Sequence, residues 1–125
     1  MTKTILIVED DTDMRALIRR TLLNSGYAVR AAANGVEAAA ACERDTPDLI
    51  ISDVHMPRMS GFDMIEILKS DPVLRDVPVI FLSADSEGVE RGNSLGAVAY
   101  LTKPIRMDHL LDSVAEHLHA KDNQA

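Results

Sequence analysis

The sequence predicts an α/β domain in which five parallel strands are covered by helices on both faces. Three observations predict it. Short β-branched runs alternate with longer stretches of helical spacing, and the alternation fills the 125 residues. The strand candidates are apolar throughout, as in parallel sheets buried on both sides. Apolar residues make up 46% of the chain, enough for a core, and this length leaves room for one domain.

The elements follow in order. The first strand is 5–8, an apolar run that stops at Glu9, Asp10 and Asp11. Met14, Leu17, Ile18 and Leu22 then recur at helical spacing, with Asp11 or Thr12 as N-cap and Gly26 as the stop. A second strand spans 27–32. Asn34 and Glu37 supply cap and N3 chemistry for an Ala-rich helix over 35–45. The third strand, 48–52, centres on Leu49, Ile50 and Ile51. A loop with Pro57 and Gly61 leads to a helix over 62–70 carrying Phe62, Ile65 and Leu68. The fourth strand is 77–83, with Pro78 at its start because proline cannot donate to a central ladder. Residues 86–95 make a poor helix, since Gly88 and Gly92 each cost up to ~1 kcal/mol against Ala. The fifth strand is 97–101. The last helix spans 105–119 with Leu111, Val114, Ala115 and Leu118 on its core face. The domain is expected over 1–121, with a frayed polar tail over 122–125. This pattern leaves the strand order open; 2-1-3-4-5, as in flavodoxin-like sheets, is one of the common doubly wound solutions.

Composition excludes several classes. Thirteen basic and twenty acidic residues give a net charge of −7. That argues against a DNA-binding surface, which needs clustered cations, and against docking on an anionic membrane. The single Cys42 rules out an internal disulfide framework and a multi-Cys zinc site, and fits a reducing cytoplasm. No segment has the shape of a signal peptide or reaches the ~20 apolar residues of a membrane span.

In open parallel sheets ligands bind beyond the carboxyl ends of the strands. Strand 1 ends in Glu9, Asp10 and Asp11, strand 3 in Asp53, strand 4 in Ser83, and strand 5 in Lys103 and Pro104. Asp11 reads first as a helix cap. In a 2-1-3-4-5 order strands 1 and 3 are neighbours, so Glu9, Asp10 and Asp53 converge. Two carboxylates ~5 Å apart repel by roughly 3 kcal/mol at an effective dielectric of ~20. Relief comes from a raised pKa, a bound cation or an ammonium. All-oxygen ligands suit Mg²⁺ or Mn²⁺, and Lys103 can supply the ammonium. A carboxylate beside a divalent cation, a hydroxyl and an ammonium is an inventory for accepting a phosphoryl group, with Asp53 as nucleophile.

Four blocks carry a resemblance. They are the run from Ile5 to Asp11; Asp53-Val54-His55-Met56-Pro57 with Gly61; Phe81-Leu82-Ser83-Ala84; and Gly96-Ala97 with Tyr100-Leu101-Thr102-Lys103-Pro104. In this order, across about residues 4–119, the chain resembles response-regulator receiver domains of two-component signalling, the CheY-like family. The resemblance implies a (βα)5 three-layer sandwich with a Mg-dependent phosphoacceptor at Asp53. It implies metal binding by Asp10, Glu9, Asp53 and the backbone carbonyl of His55. It implies phosphate contacts from Ser83, the Ala84 N–H and Lys103, and a cis peptide bond before Pro104. Ser83 and Tyr100 would form the switch, and helix 4, strand 5 and helix 5 the output face. His55 and Asp85 each stand two residues after a key position; His55 either faces water or pairs with Asp85 across the site mouth, where the two are candidate modulators of the rate of phosphate loss.

The implied partners are a sensor histidine kinase or phosphotransfer protein and a downstream protein target. The chain would be a monomer or a phosphorylation-dependent dimer, and a signalling phosphoacceptor rather than an enzyme, promoting only its own phosphorylation and dephosphorylation. Its start at Met1 and short polar end suggest a stand-alone regulator. Met14, Arg15 and Ile18 on helix 1 are candidate kinase contacts, although Arg15, Arg19 and Arg20 also read as a solvated helix face. His109, His117 and His119 do not share the helical face that a metal site needs. Cys42 reads as a small core residue. Other classes fit less well. An Asp-nucleophile phosphatase wants Asp-x-Asp, where this chain has His55. A flavin binder wants Ser, Thr and Gly after strand 1, where this chain has three acids. A receiver-like module that never takes phosphate would not need the acceptor set.

Overall fold

The computed structural model describes residues 2–124, with side chains described as far as Leu118. The elements are β1 (Thr4–Val8), α1 (Thr12–Asn24), β2 (Ala28–Ala32), α2 (Gly35–Arg44), β3 (Leu49–Asp53), α3 (Gly61–Lys69), β4 (Val79–Ser83), α4 (Val89–Ser94), β5 (Ala99–Thr102) and α5 (Met107–Gln124). The five strands pair in parallel in the order β2-β1-β3-β4-β5.

Alternation along each strand divides the apolar residues between two cores. Ile5, Ile7, Ile51 and Ile80 pack with Ile18 and Leu22 of α1 and with Leu110, Val114 and Leu118 of α5. Leu6, Val8, Ile50 and Phe81 pack on the other side with Ala38 and Cys42 of α2 and with Met64, Ile65 and Leu68 of α3. Each fully buried aliphatic side chain contributes about 1.5–3 kcal/mol. Because both faces are apolar, a one-residue slip of β1 would still bury hydrophobic side chains. It would, however, turn Glu9 away from Asp53. Strand register here decides the polar rim more than the core.

Side chains start three helices. Asp11 accepts the Met14 N–H at 2.9 Å, Asn34 the Glu37 N–H at 2.9 Å, and Ser60 the Asp63 N–H at 3.1 Å. Gly26 follows α1 with φ +95°, a left-handed turn that glycine takes without a Cβ clash.

Some details differ from the sequence reading. Leu17, expected on the core face of α1, is 47% exposed. On α5 the buried residues are Leu110, Val114 and Leu118, while Leu111 and Ala115 are half-buried. The i, i+4, i+8 row that starts at Leu110 meets the sheet, and its neighbour at Leu111 flanks it. The α5 backbone is helical to Gln124, past the expected end at 119. Ala125 and the His119 side chain lie outside the described residues. The poor helix is α4, which holds only six residues.

Candidate functional site

Three strands deliver polar side chains to one rim and one face. Alternation carries Ile7 to Glu9, Ile51 to Asp53 and Leu101 to Lys103, all on the α1/α5 side. Glu9 and Lys103 prolong their strands by one bond each. The Glu9 N–H donates to the Ala32 carbonyl at 3.1 Å, and the Lys103 N–H to the Ser83 carbonyl at 2.6 Å. Val8 is in register with Ser52, so the next residues, Glu9 and Asp53, lie side by side.

Glu9 is fully buried and Asp53 is 6% exposed, whereas Asp10 is exposed. Carboxylate oxygens of the three lie within 4.8 Å of one another. The Lys103 ammonium bridges two of them, 3.0 Å from Glu9 Oε1 and 3.1 Å from Asp53 Oδ2. One ammonium does not balance three carboxylates. Burial, and next the hydrogen bond with Asp53, push the Glu9 carboxyl up to about 7 against the pull of Lys103. Burial pulls Lys103 down, but its bonds to Glu9 and Asp53 outweigh that and hold it above its ordinary value.

Glu9 Oε2 is buried without a hydrogen-bond partner. Such an orphan costs about 1–3 kcal/mol unless something meets it. An all-oxygen set with one unsatisfied buried carboxylate oxygen fits a hard divalent cation. Among the described residues no other group of three His, Cys, Asp or Glu has suitable spacing.

Gly61 explains how the acceptor loop closes. A Cβ there would stand 2.5 Å from the Asp53 carbonyl oxygen, so only glycine lets α3 start directly behind Asp53. The Gly61 N–H donates to the Val54 carbonyl at 2.8 Å.

A second polar group gathers around Asp85, in the loop after β4. Ser83 is buried, and its hydroxyl accepts the Asp85 N–H at 3.4 Å. Asp85 Oδ1 accepts the Glu87 N–H at 3.0 Å, and the Asp85 carbonyl accepts the Tyr100 hydroxyl at 3.2 Å. Asp85 Oδ2 stands 3.5 Å from His55 Nε2, one of the two arrangements the sequence left open, while the His55 side chain is itself mostly exposed. Beside it a cavity of about 250 Å³ opens between His55, Asp85, Arg91 and Tyr100. Phe62, Phe81 and Tyr100 form an edge-to-face series with centroids 5.2 and 6.3 Å apart. The Lys103–Pro104 peptide bond is cis.

Glu9, Asp10, Asp53 and Lys103 therefore meet in one cluster, while Ser83, His55 and Tyr100 converge on Asp85. The His55 backbone sits on the loop directly behind β3, and Ala84 on the loop directly behind β4. One residue escaped the sequence reading. Arg15, read as a solvated position or a kinase contact, is half-buried, and its Nη1 donates to the Glu9 carbonyl at 2.8 Å. The available signal was a long cation in the first turn of a helix that begins just after the acids. Ile18, expected as a partner contact, is fully buried and packs in the α1/α5 core instead.

The chain is similar to known proteins in sequence and fold. The response regulator receiver domain family matches residues 5–115. The polar-differentiation response regulator DivK of Brucella ovis is 34% identical over 123 residues, covering 94% of this chain and 98% of its own. The chemotaxis response regulator CheY4 of Vibrio cholerae superposes with a TM-score of 0.87 at 30% identity, covering 93% of this chain and 98% of its own. The receiver domain of a sensor histidine kinase from Pseudomonas aeruginosa PAO1 gives a TM-score of 0.87 at 27% identity, covering 95% of this chain and 99% of its own. That structure has a magnesium ion coordinated in its active-site cleft.

Proposed function

The chain belongs to the response regulator receiver domain family, and on that premise we propose that it takes a phosphoryl group from a histidine kinase or phosphotransfer protein onto Asp53. The observation that carries this reading is the Lys103 bridge between Glu9 and Asp53 at 3.0 and 3.1 Å, beside Asp10. An Asp53 carboxylate oxygen forms the new O–P bond as the donor's N–P bond breaks, and the imidazole leaves with a proton. Glu9, Asp10, Asp53 and the His55 carbonyl hold Mg²⁺ or Mn²⁺, which supplies positive charge against the phosphoryl oxygens when bound. Lys103, the Ser83 hydroxyl and the Ala84 N–H take the remaining oxygens.

Signalling follows from the Asp85 loop. Movement of Ser83 toward the phosphoryl group draws on the segment whose Asp85 carbonyl holds Tyr100. That changes the surface of α4, β5 and α5, which a downstream protein reads. His55 and Asp85 at the mouth set how fast the phosphate is lost. The chain works as a phosphoacceptor in the cytoplasm, as a monomer or a phosphorylation-dependent dimer. No helix of the described residues is long and apolar enough to cross a membrane.

The test is labelling with a small acyl phosphate and Mg²⁺. The native chain should take the label on Asp53, and Asp53→Asn should not. Label retained by Asp53→Asn would move the acceptor elsewhere.

A further inference from the structure

We propose that Arg15 is a positioning residue that sets the affinity of the acidic cluster for a divalent cation. This rests on the reading of Glu9, Asp10 and Asp53 as a cation site, and assigns a further residue to it. Beyond Val8 the chain leaves the sheet, and the Glu9 N–H makes the last ladder bond, to the Ala32 carbonyl. The Glu9 carbonyl, on the far side of that residue, accepts from the Arg15 guanidinium at 2.8 Å. Two residues on, the Asp11 carbonyl accepts the Arg15 backbone N–H at 2.9 Å, while the Asp11 carboxylate caps α1 through the Met14 N–H. Asp10 is thus suspended between two peptides, both tied to Arg15. Its side chain is exposed, so what the Arg15 guanidinium holds is the backbone from which the Asp10 carboxylate projects.

Charge and position oppose each other here. A guanidinium beside the acids repels an incoming cation, so charge alone predicts tighter binding when Arg15 is removed. Position predicts weaker binding, because a cation site needs its oxygens held in place before the ion arrives. Arginine suits the positioning role because it stays protonated and its planar fork fixes the direction of the donated bond.

The experiment titrates Mn²⁺ alone into the unphosphorylated full chain, with free ion read by electron paramagnetic resonance. Arg15→Met should weaken binding about tenfold. Arg15→Lys, which keeps the charge and a donor but not the planar fork, should fall between native and Arg15→Met. In acyl-phosphate labelling, Arg15→Met should raise the half-saturating metal concentration and leave the rate at saturating metal near native. Arg15→Gln, too short to reach the carbonyl, replaces Arg15→Met if the latter does not fold, with the same loss expected. Binding by Arg15→Met or Arg15→Gln equal to or tighter than native overturns the proposal. So does a loss in Arg15→Lys as large as in Arg15→Met. The native chain and Asp10→Asn run alongside. If the native chain binds no Mn²⁺, or Asp10→Asn binds as the native chain does, the cation-site reading itself fails.

Discussion

Two contacts between a carboxylate and a nitrogen base stand at the same end of the sheet and have opposite standing. At the centre, Lys103 lies 3.0 Å from Glu9, which is fully buried. At the mouth, His55 lies 3.5 Å from Asp85, with side chains 69% and 48% exposed. In the buried pair desolvation dominates, the hydrogen bond with Asp53 adds to it and the contact with Lys103 opposes it, and the balance moves the Glu9 carboxyl up to about 7. In the exposed pair water screens these effects, and such pairs contribute about 0–1 kcal/mol. Similar chemical groups therefore serve different ends. The inner set is under electrostatic stress that a bound cation would relieve, and the outer pair is free to be tuned without cost to the fold.

Three substitutions test that contrast. Lys103→Met should have the largest effect. It leaves Glu9 and Asp53 without their ammonium, and in EDTA at pH 8 it should lower unfolding stability by about 3 kcal/mol in urea titrations. Equal stability to native would mean that the inner pair is as well screened as the outer one.

Glu9→Gln should act in the opposite direction. The folded carboxyl, at about 7, keeps a proton that the unfolded chain releases near 4.5. The native state therefore binds more protons across that window, and stability falls as pH rises from about 4.5 through 7. The full shift corresponds to about 3 kcal/mol. Glu9→Gln should recover about 2 kcal/mol of it at pH 8, the rest being lost with the Lys103 contact. The pH slope should flatten in the variant, and Mg²⁺ should remove it in the native chain. A native slope of the other sign would refute the assignment of stress to Glu9.

The smallest stability effect belongs to His55→Ala, expected within about 0.5 kcal/mol of native. Its readout is the decay of phosphorylated Asp53. The rate should change by about threefold, under 1 kcal/mol of barrier, while labelling persists. Unchanged decay would remove His55 from the mechanism.

Most of the frame was legible because apolar runs and acids abut in the sequence. The run that ends at Glu9 and the run that ends at Asp53 announce both the strands and the rim. Strand parity then puts Glu9, Asp53 and Lys103 on one face. What stayed hidden depends on rotation and reach. Leu110 and Leu111 are adjacent leucines with equally good helical spacing, and only the angle at which α5 meets the sheet selects between them. Arg15 stands three and seven residues before the buried Ile18 and Leu22, on the core-side face, but its charge reads as solvated, and only the structure shows it turning back to the Glu9 carbonyl. Gly88 and Gly92 read as weaknesses of a helix, because sequence does not show what lies opposite them.

What lies opposite them is aromatic. A Cβ at Gly88 would come within 2.8 Å of both the Phe62 ring and the Tyr100 hydroxyl, and one at Gly92 within 3.2 Å of the Tyr100 ring. Bare main chain thus rides on flat rings like a follower on a cam. With no compressible side chain in between, the proposed swing of Tyr100 would pass to the peptide units of α4 undamped.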